Sequence, residues 1–282
     1  MSAAVPALFA GLFDDAAVFP PGNLPLAEAV PAHVAHDVSA HAPVVGAFVL
    51  AAKDLDHLAP LVADLGLSSF RLSLTASLTE LDTALAAAYT IPAVRVDAAE
   101  VALAEDVAAS TVVPAIERAL AGRSLPIFVE LPRDVRRQEV TSALADAGHM
   151  AKLRTGGVRA DLYPDEKELA ASVVALTAAG VPFKATAGLH HALRNTDPAT
   201  GFEQHGFLNL IAATGAALDG ADEAAVAALL ADRDDSRVVD RVRVLGPSVR
   251  DAFRSFGTCS LAEPIEDLVG LGLLDAHLMK DL

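Results

Sequence analysis

Two lysines, Lys152 in HMAKLRTGG and Lys184 in PFKATAGLHH, lie 32 residues apart, each inside a short apolar run that reads as a buried strand. An unpaired ammonium taken out of water is costly and tends to lose its proton. A lysine amine that has lost it is a nucleophile toward carbonyl carbon. Two such amines on adjacent strands act on each other, because the one that stays charged favours the neutral form of its partner. The imine that forms is an electron sink for carbon–carbon cleavage or formation, and Glu130, Asp97 or Asp14 would relay the protons. A structural alternative pairs both lysines with Glu130 and Asp97.

Bringing the two amines together requires a scaffold. Strand-like apolar runs occur at 12–18, 44–51, 69–75, 93–97, 126–131, 150–155, 182–187 and 255–259, with helical patterns between them. In DEKELAASVVALTAAG, Leu169, Val173 and Leu176 repeat at helical spacing, and Gly180 is placed to end the helix. Eight strands alternating with helices predict a (β/α)8 barrel in a single domain, 1–282, with a helical insertion at about 195–250. An open doubly wound sheet is the alternative, but no GxGxxG or GxxxxGK[ST] supports a nucleotide-binding version.

Strand parity sharpens the expectation, since side chains alternate faces with period two. Arg71, Ser73 and Thr75 oppose Phe70, Leu72 and Leu74, and Arg95 with Asp97 opposes Val94 and Val96. Glu130 opposes Val129 and Leu131, Lys152 with Arg154 opposes Ala151 and Leu153, and Lys184 with Thr186 opposes Phe183 and Ala185. The face toward the helices must be apolar, so Arg71, Arg95, Asp97, Glu130, Lys152, Arg154 and Lys184 are expected to converge in the lumen.

These segments resemble the deoxyribose-phosphate aldolases, a family of class I aldolase barrels. KLRTGG at 152–157 is similar to that family's K-T-S-T-G segment, and KATAGL at 184–189 to its K-x-x-G-G-I segment. FGTCSL at 256–261, PIFVEL at 126–131 and LFDDAAVFPP at 12–21 resemble its closing, fifth and opening strands in turn. The resemblance implies a Schiff base at Lys152, with Lys184 as the cation that depresses its pKa. Asp14 matches the opening aspartate, and Asp97 is the carboxylate nearest the family's fourth-strand aspartate. It also implies a cradle for an anion at Gly156, Gly157, Thr186, Gly188, Gly257 and Ser260.

The chain departs from the pattern at Leu153-Arg154, at Ala187-Gly188 and at Cys259-Ser260, and 74 residues separate Lys184 from Cys259. Arg154 in particular points to a carboxylate or another anion held by a guanidinium fork, with Arg71 and Arg95 as further contacts.

His190 and His191 follow the Lys184 strand, and His205 opens an apolar helix in HGFLNLIAATGAAL. One reading makes these three acid–base groups and substrate contacts. Another makes them ligands of a divalent metal together with Asp15, Asp14 or Glu130, in a metal-dependent lyase or isomerase. A third makes them structural, and the remaining histidines are expected to have no catalytic role. DDAAVFPPGN at 14–23 reads as a lid or a rigid connector. Cys259 reads as a small buried filler, with a reactive thiol as the alternative.

Composition bounds the rest. With a net charge of −16 over 282 residues and no basic cluster beyond Arg133, Arg136 and Arg137, nucleic acid is not an expected partner. A single cysteine excludes an internal disulfide framework and suits a reducing compartment. The N-terminal stretch lacks the positive region of a secretory signal, and its uncharged run is too short to span a bilayer. The expectation is a cytoplasmic protein acting on a small anionic molecule, without an organic cofactor, as a monomer or homo-oligomer. A non-catalytic metabolite-binding barrel is the remaining rival.

Overall fold

The computed structural model describes residues 4–280 and 282, so the first three residues of the expected domain lie outside it. Eight parallel strands close on themselves in the order β1, β2, β3, β4, β5, β6, β7, β10 and back to β1. They are β1 (Phe13–Asp15), β2 (Val45–Ala51), β3 (Phe70–Ser77), β4 (Val94–Ala102), β5 (Ile127–Glu130), β6 (Met150–Arg154), β7 (Phe183–Thr186) and β10 (Phe253–Thr258). Helices return the chain between them, including α3 (Leu81–Thr90), α4 (Ala109–Leu120) and α6 (Glu166–Ala178). This is a (β/α)8 barrel, and each of the eight runs read as a strand contributes one stave.

Local chemistry sets the helix ends. Asp165 accepts a hydrogen bond from the Glu168 amide at 2.8 Å to start α6. Gly180, at φ +66°, lies beyond its last turn in the left-handed region that glycine adopts without strain. Between β7 and β10 the chain forms a small antiparallel hairpin, β8 (Asn195–Thr196) with β9 (Glu203–Gln204), and then α7 (Phe207–Leu218), α8 (Glu223–Ala231) and α9 (Asp235–Arg243). Phe207 stacks on Phe256 of β10 at 5.0 Å and meets Phe13 of β1 edge-on at 5.9 Å. That packing places α7 against the barrel wall where β1 and β10 join.

The fourth strand departs from simple alternation. Leu72 pairs with Val96, but Ser73 pairs with Ala98, so Asp97 is an extra residue in a β-bulge. Beyond it the inward face falls on even-numbered residues, and β4 runs on to Ala102. Among the described residues, no helix is long and apolar enough to cross a membrane.

Candidate active site

Lys152 and Lys184 stand opposite each other in the ladder between β6 and β7. Both side chains are buried, Lys184 to 1 % exposure. The amine of Lys184 donates to Asp14 Oδ2 at 2.7 Å and to Glu100 Oε1 at 2.5 Å. Its ammonium also lies 5.5 Å from the centroid of the Phe128 ring. The amine of Lys152 lies 3.4 Å from Glu100 Oε2 and 3.1 Å from Glu130 Oε2. One carboxylate therefore bridges the two lysines, one oxygen to each.

The three carboxylates around the lysines are each held in place. Ser73 donates to Glu100 Oε1 at 2.8 Å, and Ser255 donates to Asp14 Oδ2 at 2.6 Å. The Ala47 amide donates to Asp14 Oδ1 at 3.1 Å. Gly46 makes this approach possible, because a Cβ there would lie 2.2 Å from that oxygen. Arg154 Nε donates to Glu130 Oε1 at 3.0 Å, leaving the other Glu130 oxygen to Lys152.

These contacts decide the charge states. Burial alone would raise the Glu100 pKa, but Lys184 and Lys152 outweigh it and hold the carboxyl down at about 2. Burial likewise opposes the charge on Lys184, yet Asp14 and Glu100 outweigh it and raise that amine above its ordinary value. Glu130 is also held low against its burial, by Lys152 and Arg154. Lys184 is therefore a fixed interior cation.

A cavity of about 330 Å³ opens at the C-terminal end of the strands, where barrels of this kind build their sites. Thr75, Glu100, Arg154, Thr186, His190 and Cys259 are among its lining residues. The Nη atoms of Arg154 have no protein partner among the described residues, so part of its guanidinium fork is open. A second hollow, of about 550 Å³, runs between the ends of β2 to β4 and the helices behind them. The two meet at Thr75 and Glu100.

The residues singled out from sequence fall in several places. Lys152, Lys184, Glu130, Asp14 and Arg154 come together as described. Gly157, Thr186, Gly188, Gly257 and His190 line the cavity. Gly156 instead packs on Gly188, where a Cβ would meet that residue's Cα at 2.8 Å. The Ser260 hydroxyl accepts from the Glu263 amide at 3.4 Å, at the start of α11 (Ala262–Gly270).

Arg71, Arg95 and Asp97 are not with the lysines. Asp97 accepts from both arginines, at 2.8 and 2.7 Å, near the N-terminal end of the staves, and the Arg95 side chain is 62 % exposed. The bulge puts Glu100 in the place expected of Asp97. Glu100 lies in the apolar run AAEVAL, the same signal that marks the lysines, but beyond the end of the strand as read from sequence.

The histidines scatter. His205 is fully buried, donating from Nε2 to the Pro164 carbonyl at 2.8 Å while Nδ1 accepts from Arg194 at 3.4 Å. His191 is exposed and pairs with Asp267 at 3.2 Å. Asp15 points away from Asp14 and binds His33 at 2.9 Å. Among the described residues no group of three or more histidine, cysteine or acidic side chains is arranged to hold a metal ion. Arg133 and Arg137 share Glu168, and Arg136 pairs with Asp134, so each arginine of that basic cluster has a carboxylate partner.

A scan against protein-family models finds no match to this chain, and a search of curated proteins finds none either.

Proposed function

We propose that this barrel is a class I aldolase-like lyase that forms an imine between Lys152 and a small anionic oxo compound. The observation that carries the reading is the lysine pair bridged by Glu100, under a cavity whose wall holds the open fork of Arg154. It agrees with the resemblance of the two lysine segments to the deoxyribose-phosphate aldolases, with Glu100 rather than Asp97 as the fourth-strand carboxylate.

The roles follow from the contacts. Lys184 stays protonated between two carboxylates and sets the field at Lys152. The cations Lys152, Lys184 and Arg154 balance the carboxylates of Asp14, Glu100 and Glu130. Lys152 must therefore pass a proton to a neighbour before it attacks, and Glu130, at 3.1 Å, takes it without changing the net charge. An anionic substrate that engages Arg154 draws the guanidinium field away from Glu130, which raises the affinity of Glu130 for that proton. Attack on the carbonyl carbon then releases water and leaves the imine as electron sink. Glu100, which lines the cavity, holds the two amines together through one oxygen to each. Asp14, clamped by Ser255 and the Ala47 amide, holds Lys184 in place.

Borohydride reduction with a panel of aldehydes and oxo acids, read by intact mass, tests this. The expected result is a covalent adduct on wild type that is lost in Lys152→Ala. Absence of any adduct across the panel, together with turnover that requires an added divalent metal, would overturn it.

A further inference from the structure

The cavity that Arg154 lines is also lined by two members of a cluster that the imine chemistry does not use, His190 and Cys259. His190 follows β7, Cys259 follows β10, and Glu263 lies in the first turn of α11. Cys259 Sγ is 3.6 Å from His190 Nδ1, and Glu263 Oε2 is 3.1 Å from the same nitrogen. One Nδ1–H thus serves two acceptors, the sulfur and the carboxylate. Nε2 has no protein partner among the described residues, and the ring lines the cavity.

The surroundings favour a charged ring beside the sulfur. Glu263 contacts the imidazole directly and the Asp197 carboxylate acts on it from the β8–β9 side. Burial opposes protonation, but Cys259 and Glu263 outweigh it and raise His190 to about 10. The thiol itself is part-buried beneath the Pro20-Pro21-Gly22 turn, where a Cβ on Gly22 would meet Cys259 Cβ at 3.0 Å. It sits three residues before α11, near that helix's positive end.

We propose that Cys259 is a second nucleophile of this cavity, a thiolate paired with the His190 imidazolium and open to small anionic electrophiles, aldehydes among them. In the aldehyde case the sulfur bonds to the carbonyl carbon as the C=O π bond breaks. The oxygen takes the proton that His190 carries on Nε2, giving a hemithioacetal with no oxidant or reductant consumed. This assignment does not depend on an imine at Lys152.

The chain has one cysteine, so a thiol reagent reports this site alone. Iodoacetamide alkylation followed by intact mass from pH 5 to 9 should give a rate midpoint at least one unit below the free-thiol value of about 8.5. His190→Gln should move the midpoint up by at least one unit. Iodoacetate should be favoured over iodoacetamide at least tenfold relative to glutathione, and Arg154→Gln should abolish that preference. A wild-type midpoint at or above the free-thiol value, or one unmoved in His190→Gln, would overturn the ion pair. A glutathione-like reagent ratio would overturn the selectivity for anions. If His190→Gln does not fold, the wild-type profile decides alone. Alkylation reads the thiol and borohydride trapping reads Lys152, so the two proposals fail separately.

Discussion

Lys152 and Lys184 occupy paired positions on neighbouring staves and divide one carboxylate, Glu100, between them. They are not equivalent. Lys184 makes the shorter contacts and is enclosed by two carboxylates, whereas Lys152 shares Glu130 with Arg154. Lys184 is thus the more tightly held of the two amines.

That difference predicts separate consequences of removing each. Lys184→Met leaves Asp14 and Glu100 facing each other in the interior without their cation, which should cost about 3–5 kcal/mol of stability. Adding Glu100→Gln to that variant should recover part of the loss. Lys152→Met leaves Glu100 with Lys184 and Glu130 with Arg154, so its cost should be smaller. Urea denaturation of the three variants checks the order. Equal losses for the two single variants would contradict it.

Gly46→Ala tests the clamp on Asp14 from a position that carries no charge. The new methyl would overlap Asp14 Oδ1, forcing that carboxylate off the Ala47 amide and away from Lys184. We expect a loss of about 2 kcal/mol. Gly270→Ala, at the end of α11 with nothing within 4 Å of the added carbon, should be near neutral in the same assay.

Acid should weaken the fold before it reaches the carboxylates. Burial, helped by Arg194, pushes His205 down to about 4 from an ordinary 6.5, and burial also lowers His36. A histidine whose folded pKa is depressed binds its proton more readily when unfolded, so stability rises with pH through that window. The His205 contribution is complete above pH 6.5 and falls away as pH drops toward 4, by about 3 kcal/mol in all. His190 works in the opposite sense, contributing below 6.5 and losing that contribution as pH rises toward 10. Denaturation midpoints at pH 6.5, 5.5 and 4.5 should decline in wild type. His205→Gln, which keeps a donor and an acceptor, should flatten the decline and leave the smaller slope from His36.

Much of this architecture is legible in the chain because a buried stave has a distinct pattern, a charged residue among alternating apolar ones. Lys152, Lys184, Glu130 and Arg154 all carry it, and all face inward. The pattern fails at Asp97 because a bulge adds a residue to the ladder without requiring any particular residue type there. The inward set changes from odd to even numbers, and Glu100 escapes notice. Nearness in sequence to His190 suggests that His205 joins the cavity, but its ring is buried between the Pro164 carbonyl and Arg194. The meeting of His190 with Glu263 spans 73 residues, and no local pattern announces it.

The bulge has a further consequence for how the chain can vary in length. Arg95 and Glu100 are five positions apart, an odd number, and face the same way only because one residue is surplus to the ladder. Removing a single residue between them would leave an even interval, and the strand could straighten with Glu100 still turned inward. Removing two would point it at the helices. This stave therefore holds one residue of slack just upstream of its buried acid, so a single deletion there should disturb the pocket less than a double one.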